Sequence, residues 1–317
     1  MKKQKSYVVL IIAVVLLIAS AVFAFSAHRN SYQKSVQIGK QLTEVKNTIK
    51  EIEAGTATGD LEALKATSSQ LSADKLAAER PYSYGLVGVF FSLFLLVKGI
   101  LNAVVGKVPA KKADINRLAQ AGLLTALCYI GFAYFKIDIP VGAEKTAFHF
   151  GNVFCVLAAL LLGGYWGGLA GALGMTIGDL TTTYVTSAPK TFLLKFCIGA
   201  IVGFVAHKLF KLDQEHDAKY VSVATVVASI CGMAFNIVAD PLVGYFYKTY
   251  LLGVPQNLAK ALAKIGALTT SVNAVVAVIA ASVFYLALRP ALKKAGLFVS
   301  VTESAQERAT KTASADK

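Results

Sequence analysis

Long apolar runs separated by short polar breaks dominate this chain. Eight of them, at approximately 7–27, 85–106, 115–135, 148–163, 168–186, 190–207, 219–239 and 266–288, approach or reach the roughly 17 to 25 residues that a bilayer-crossing helix needs. Hydrocarbon offers no water to satisfy backbone N–H and C=O groups, so such runs must be helices. The pattern predicts an all-α polytopic membrane protein. The first run follows Lys2, Lys3 and Lys5 and ends near Ala24-Phe25-Ser26, a small-x-small triplet of the kind found at signal cleavage sites. Its apolar length, Tyr7 to Phe25, exceeds the usual signal core of roughly 7 to 15 residues, and it reads as an uncleaved anchor.

The polar stretch between the first two runs has its own order. Ile38, Leu42, Val45, Ile49 and Ile52 alternate steps of four and three, the seam spacing of a coiled coil. The segment Gly55-Thr56-Ala57-Thr58-Gly59 breaks that helix, Asp60 is placed to cap the next, and Leu61, Leu64 and Leu71 carry it toward Arg80 before Pro81 ends it. Residues 1–112 therefore read as an N-terminal extension: two transmembrane helices flanking an extracellular helical hairpin over 28–84. With eight bases against seven acids the hairpin is almost neutral. It suits either a sensory or partner-docking module or a structural extension packed on the rest. Residues 113–295 read as a six-helix domain and 296–317 as a polar cytoplasmic tail.

Composition sharpens the class. Hydrophobic residues are 56% and charged residues 16%, against a usual charged share of about 25%, which excludes a soluble enzyme. The formal charge of +14 would imply nucleic acid only if the bases formed a solvated patch, and they do not. Thirteen Lys and Arg fall in short segments on one side (around Lys2, Lys107, Lys208 and Arg289). The opposite side has six in short loops and eight in the long hairpin. The positive-inside bias then places both termini in the cytoplasm, with the chain spanning the bacterial plasma membrane. Cys128, Cys155, Cys197 and Cys231 all lie in apolar stretches without a C-x-x-C pair; they read as core-filling thiols, and no metal or cofactor is indicated.

From Asp114 onward small residues set the texture. Gly163-Gly164-Tyr165-Trp166-Gly167-Gly168 reads as a tight turn, followed by Ala170, Gly174 and Gly178 at four-residue spacing, and Gly199 and Gly203 repeat the device. Such stripes let helix backbones approach closely in lipid. The stretch 148–207, FHFGNVFCVLAALLLGGYWGGLAGALGMTIGDLTTTYVTSAPKTFLLKFCIGAIVGFVAH, resembles the substrate-binding subunits (S components) of energy-coupling factor vitamin transporters. The glycine turn, the Gly-Asp in the third core helix and Ala-Pro-Lys-Thr-Phe at the start of the fourth carry the resemblance, which covers about 115–295. It implies that six helices bind a vitamin or related micronutrient from outside. The bundle would then topple within the lipid bilayer while docked on a transmembrane scaffold subunit driven by two cytoplasmic ATPases. The family's first helix carries an Ala-x-x-x-Ala docking motif, and Gly122-Leu123-Leu124-Thr125-Ala126 has that spacing with Gly in the first place. Residues 1–112 depart from the six-helix pattern. The chain contains no G-x-x-x-x-G-K-[S/T] phosphate loop, so energy must come from partners or from an ion gradient.

Charges inside a span are costly and mark function. At about 1.5 Å per residue, Asp179 and Lys195 lie at similar depth on antiparallel helices, either as a buried ion pair or as a substrate contact. The loop 136–147, with Gly142 as a hinge, is placed to act as a lid. Beneath it His149, Asn152, Tyr184, Lys190, Lys195, Asn236, Asp240 and Asn273 supply polar anchors above an apolar floor, the usual composition of a small-molecule site. Two lysines at this level lean toward a substrate with an anionic or carbonyl-rich group. Three function classes follow: a vitamin-binding importer subunit, an ion-coupled secondary transporter using Asp179 or Asp240, and a sensor using the hairpin. No nucleophile and base stand at useful spacing for an enzyme. Lys98 is placed to snorkel from the second span.

Overall fold

The computed structural model describes residues 2–104, 115–141 and 144–301, with side chains described from Leu10 to Ile100 in the first of these segments. Gly142 and most of the polar tail, 302–317, lie outside the described residues, as do Lys107, Lys111 and Lys112.

Helix α1 (Lys2–Ala27) passes through one wider turn, His28–Tyr32, directly into α2 (Gln33–Glu53), and α3 (Leu61–Val104) returns. Asp60 caps α3 by accepting from the Ala63 amide at 3.1 Å. The expected break at Pro81 is absent: the proline sits inside a 44-residue helix. A proline there forfeits one backbone hydrogen bond, but the helix is pinned from outside on both sides of it, Lys75 by Glu144 and Tyr82 by the Leu251 carbonyl. Glycines set the α1–α3 contact. A Cβ on Gly85 would lie 2.7 Å from the Ala24 Cα, and one on Gly99 would lie 2.7 Å from Leu10. These pairings run in opposite directions, so the two helices are antiparallel and touch through their backbones.

The rest of the chain gives α4 (Ile115–Ala133), strands β1 (Lys136–Val141) and β2 (Glu144–His149), then α5 (Gly151–Thr181), α6 (Ala188–Gly203), α7 (Ala218–Phe246) and α8 (Gln256–Lys294). The lid expected as an irregular loop is an antiparallel β-hairpin pairing Lys136 with His149 and Ile139 with Thr146. His149 therefore ends a strand rather than opening a helix. Helix α5 is really two helices. Gly163 has φ 80° and ψ 174°, a conformation nearly reserved for glycine, and the chain folds back on itself there. A Cβ on Gly167 would lie 2.3 Å from the Ala159 Cα, and one on Gly171 the same distance from the Cys155 Sγ. Residues eight and sixteen apart cannot meet along one straight helix.

The core lies in this hairpin and in α6, where Gly199 packs against Gly168 and Gly203 against Gly164. Leu160, Ile198, Met233 and Tyr285 are among its fully buried side chains. Helix α3 joins the bundle through Phe94, whose ring meets Phe192 and Phe196 edge-on at 5.7 and 4.8 Å. At the end away from the strands Lys98 donates to the Tyr165 hydroxyl. There too the start of the supposed tail is ordered, with Gln120 donating to the Leu297 carbonyl at 2.7 Å and Val299 buried. Six helical stretches among the described residues are long and apolar enough to cross a membrane. Large apolar residues such as Ile18, Val22, Val238 and Ile279 face outward, which hydrocarbon tolerates and water does not.

Candidate ligand-binding site

The β-hairpin roofs a cavity of about 830 Å³, counting its open mouth. Strand β2 supplies Lys145, Thr146, Ala147 and His149; α5 supplies Asn152, Met175 and Asp179; α6 supplies Lys190, Thr191 and Lys195; and α7 and α8 supply Asn236, Asp240, Thr270 and Asn273. Tyr184 stands in the turn before α6, which Pro189 opens in the first helical turn, a position where its missing N–H costs nothing. All nine polar residues singled out in the sequence thus line one space.

Four of them are engaged by the chain itself. Lys190 binds Asp240 at 2.6 Å, and Thr270 donates to the other carboxylate oxygen at 3.1 Å. Tyr184 donates to Asp138 Oδ1 at 3.0 Å. Asn273 belongs to the roof, accepting from the His149 amide and donating to the Ala147 carbonyl, both at 3.0 Å. Thr146 and Thr269 add a hydroxyl contact of 2.9 Å, so the lid is fastened to α8 along its second strand.

The other members keep atoms to spare. His149 Nδ1, Asn152 Oδ1, Asp179 Oδ2 and Asn236 Nδ2 are buried without a hydrogen-bond partner. Buried polar atoms are seldom left so without a function. Asp179 and Lys195 both line the cavity but form no ion pair within 4 Å among the described residues. Lys195 instead reaches Asn236 Oδ1 at 3.4 Å. Rise per residue fixes depth along a helix but not the direction a side chain points around it, and that direction hands Asp240 to Lys190. Phe132 adds an aromatic wall, edge-on to His149 at 5.0 Å and to Tyr184 at 5.6 Å.

Phe132, Thr269 and Lys248 also line the cavity, and Asp138 positions Tyr184 from outside it; none of the four was among the residues expected there. For Asp138 a signal existed: Lys136-Ile137-Asp138-Ile139 alternates polar and apolar, the period of a strand, which puts Asp138 and Lys136 on one face. On α4, Gly122 and Ala126 both face away from the bundle, and a Cβ on Gly122 would meet nothing within 4 Å.

The outward apolar surface and the six long apolar helices define a multi-pass, all-helical membrane protein. Its family follows from a match between residues 112–290, more than half of the chain, and the family model described as ECF-type riboflavin transporter, S component. The chain belongs to that family. The match begins where the extension ends, so α1, α2 and α3 lie outside it. No curated protein and no solved structure matches the chain.

Proposed function

We propose that this chain is the substrate-binding membrane subunit of an ECF-type importer, capturing riboflavin or a flavin-like vitamin from outside the cell. It hands the vitamin on together with a transmembrane scaffold subunit and two cytoplasmic ATPases. The observation that carries this reading is the family match over 112–290, and the chemistry of the cavity supports it. Lys190 is neutralised by Asp240, Lys145 stands 3.6 Å from Asp138, and Lys248 stands 3.6 Å from Glu144. Among the described lining residues that leaves Lys195 and Asp179 without an ion-pair partner on the cavity wall. Facing groups of opposite charge favour a neutral ligand rich in carbonyl and hydroxyl groups. A flavin fits the remaining groups: its ring carbonyls accept from Lys195 and Asn236, its imide N–H and sugar-alcohol hydroxyls donate to Asn152 and Asp179, and its ring system meets Phe132 and Tyr184.

With both termini in the cytoplasm, the lid faces the outside, where the vitamin arrives. The open backbone at Gly122 and the small side chain of Ala126 then suit close docking of the scaffold on α4. Titrating purified chain with riboflavin tests the capture step. Saturable quenching of flavin fluorescence at one ligand per chain is expected, and its absence would overturn the assignment.

A further inference from the structure

The extension that the family match leaves out grips both lips of the cavity mouth. One lip is strand β2. Its Glu144 accepts from Lys75 of α3 at 2.9 Å and lies 3.6 Å from Lys248. Lys75 also holds Glu79, one turn along α3, at 2.5 Å. All four side chains are largely withdrawn from solvent, with exposures of 8 to 18%, so these charges interact in a medium less polar than water. The other lip is the loop between α7 and α8. Tyr32 donates to the Leu252 carbonyl at 2.8 Å and Tyr82 to the Leu251 carbonyl at 3.0 Å, and the two rings pack 4.7 Å apart in a small apolar cluster with Ala24, Leu86 and Tyr247. Lys248 lines the cavity itself, so one cation touches the ligand space and the network together.

Burying four charged groups away from lipid and water carries a desolvation cost that only well-placed partners offset. A mere membrane anchor needs no such network, and α1 and α3 already pack on each other through Gly85 and Gly88. The charges sit where the appended helices meet the β-hairpin lid.

We propose that the N-terminal extension is a built-in clamp on the cavity mouth, with Lys75 as the positioning residue that ties the lid strand to α3, which in turn holds the α7–α8 loop through Tyr82, and so slows ligand exchange. The clamp rests on the reading of the cavity as the vitamin site, but its effect on the lid can be measured without ligand.

Two measurements on the full chain test it. Lys75→Met combined with Glu79→Gln removes the link without leaving a carboxylate buried alone, and Glu144→Gln removes it from the lid side. In ligand-free protein, hydrogen exchange of the backbone amides in 136–149 is expected to rise about tenfold in each variant, the scale of losing a partly buried ion network, with no change in the core helices. The dissociation rate of riboflavin, followed by recovery of its fluorescence, is expected to rise by a similar factor. Combining the variants should add little to Glu144→Gln alone, because that change already cuts the Lys75 link along with the Lys248 contact. Should Lys75→Met with Glu79→Gln fail to fold, Tyr32→Phe with Tyr82→Phe releases the other lip by loss of two hydroxyls, with an expected rise of about tenfold for two hydrogen bonds. Unchanged lid exchange in the folded variants, or effects that simply add, would overturn the clamp. If the parent chain binds no riboflavin, the vitamin assignment falls while the exchange measurement still decides the clamp.

Discussion

Lys195 and Asp179 share a cavity without sharing a bond, and their different surroundings separate their roles. Lys195 has a single long contact, to Asn236, and Asp179 has an oxygen without a partner. A group that only balanced the other would be expected within ion-pair distance. Lys195→Met is therefore expected to weaken riboflavin binding by at least about tenfold, the value of a charged hydrogen bond, while leaving the melting temperature within a few degrees of the parent. Asp179→Asn, which keeps the shape and one acceptor, is expected to cost less. Calorimetric titration alongside thermal unfolding separates a ligand contact from a structural pair; equal loss of stability in both variants would favour the pair.

Glycines give a second contrast between residues of one type. A Cβ on Gly199 would lie 2.3 Å from the Gly168 Cα, so Gly199→Ala must push α6 off α5 and is expected to destabilise by about 1–3 kcal/mol. Gly122 has open space around it, and Gly122→Ala adds only helix propensity, up to about 1 kcal/mol in favour of the fold. Thermal melts of the two variants in detergent should move in opposite directions.

The β-hairpin lid is an element whose behaviour is expected to depend on pH. Burial pushes the Glu144 carboxyl up, but Lys75 and Lys248 outweigh it and hold its pKa at about 2, below the ordinary value of about 4.3. Because the folded value is the lower one, the stability drawn from Glu144 is fully present above about pH 4.3 and is lost as pH falls toward about 2. Lid exchange, corrected for its intrinsic pH dependence, is expected to be flat from about pH 5 to 8 and to rise in acid, and Glu144→Gln should abolish that acid step. Helix α4 makes a separate prediction. Gly122→Leu with Ala126→Leu crowds the face it presents outward and is expected to abolish copurification with the scaffold subunit while riboflavin binding by the chain alone persists. Retained copurification would place the docking face elsewhere.

For the whole molecule, the question is the source of energy. The chain has no phosphate loop, and its family is one of transporter subunits. Purified chain in liposomes is expected to bind riboflavin but not to accumulate it against a gradient, even with a proton or sodium gradient imposed, until the scaffold and ATPases are added. Accumulation by the chain alone would instead support the ion-coupled reading, in which a buried carboxylate such as Asp179 carries the coupling proton.

The amino-acid sequence by itself settled the membrane class and the positions of most helices. Hydrocarbon forces apolar runs into helices, and rise along a helix is fixed, so these properties are local. The turn at Gly163 was legible for the same reason, since a glycine cluster between two apolar runs has few other uses. Pro81 and the lid were misread because local rules lost to contacts made far away. Tyr82 and Lys75 are pinned by distant partners, which keeps α3 continuous past its proline, and two short strands gain their hydrogen bonds only by pairing with each other. Which polar groups meet was decided by the tertiary structure alone. Lys190 rather than Lys195 takes an aspartate, and Lys75, 69 residues away in the chain, reaches Glu144, because helix rotation and packing determine where a side chain points and spacing along one helix carries no information about its neighbours.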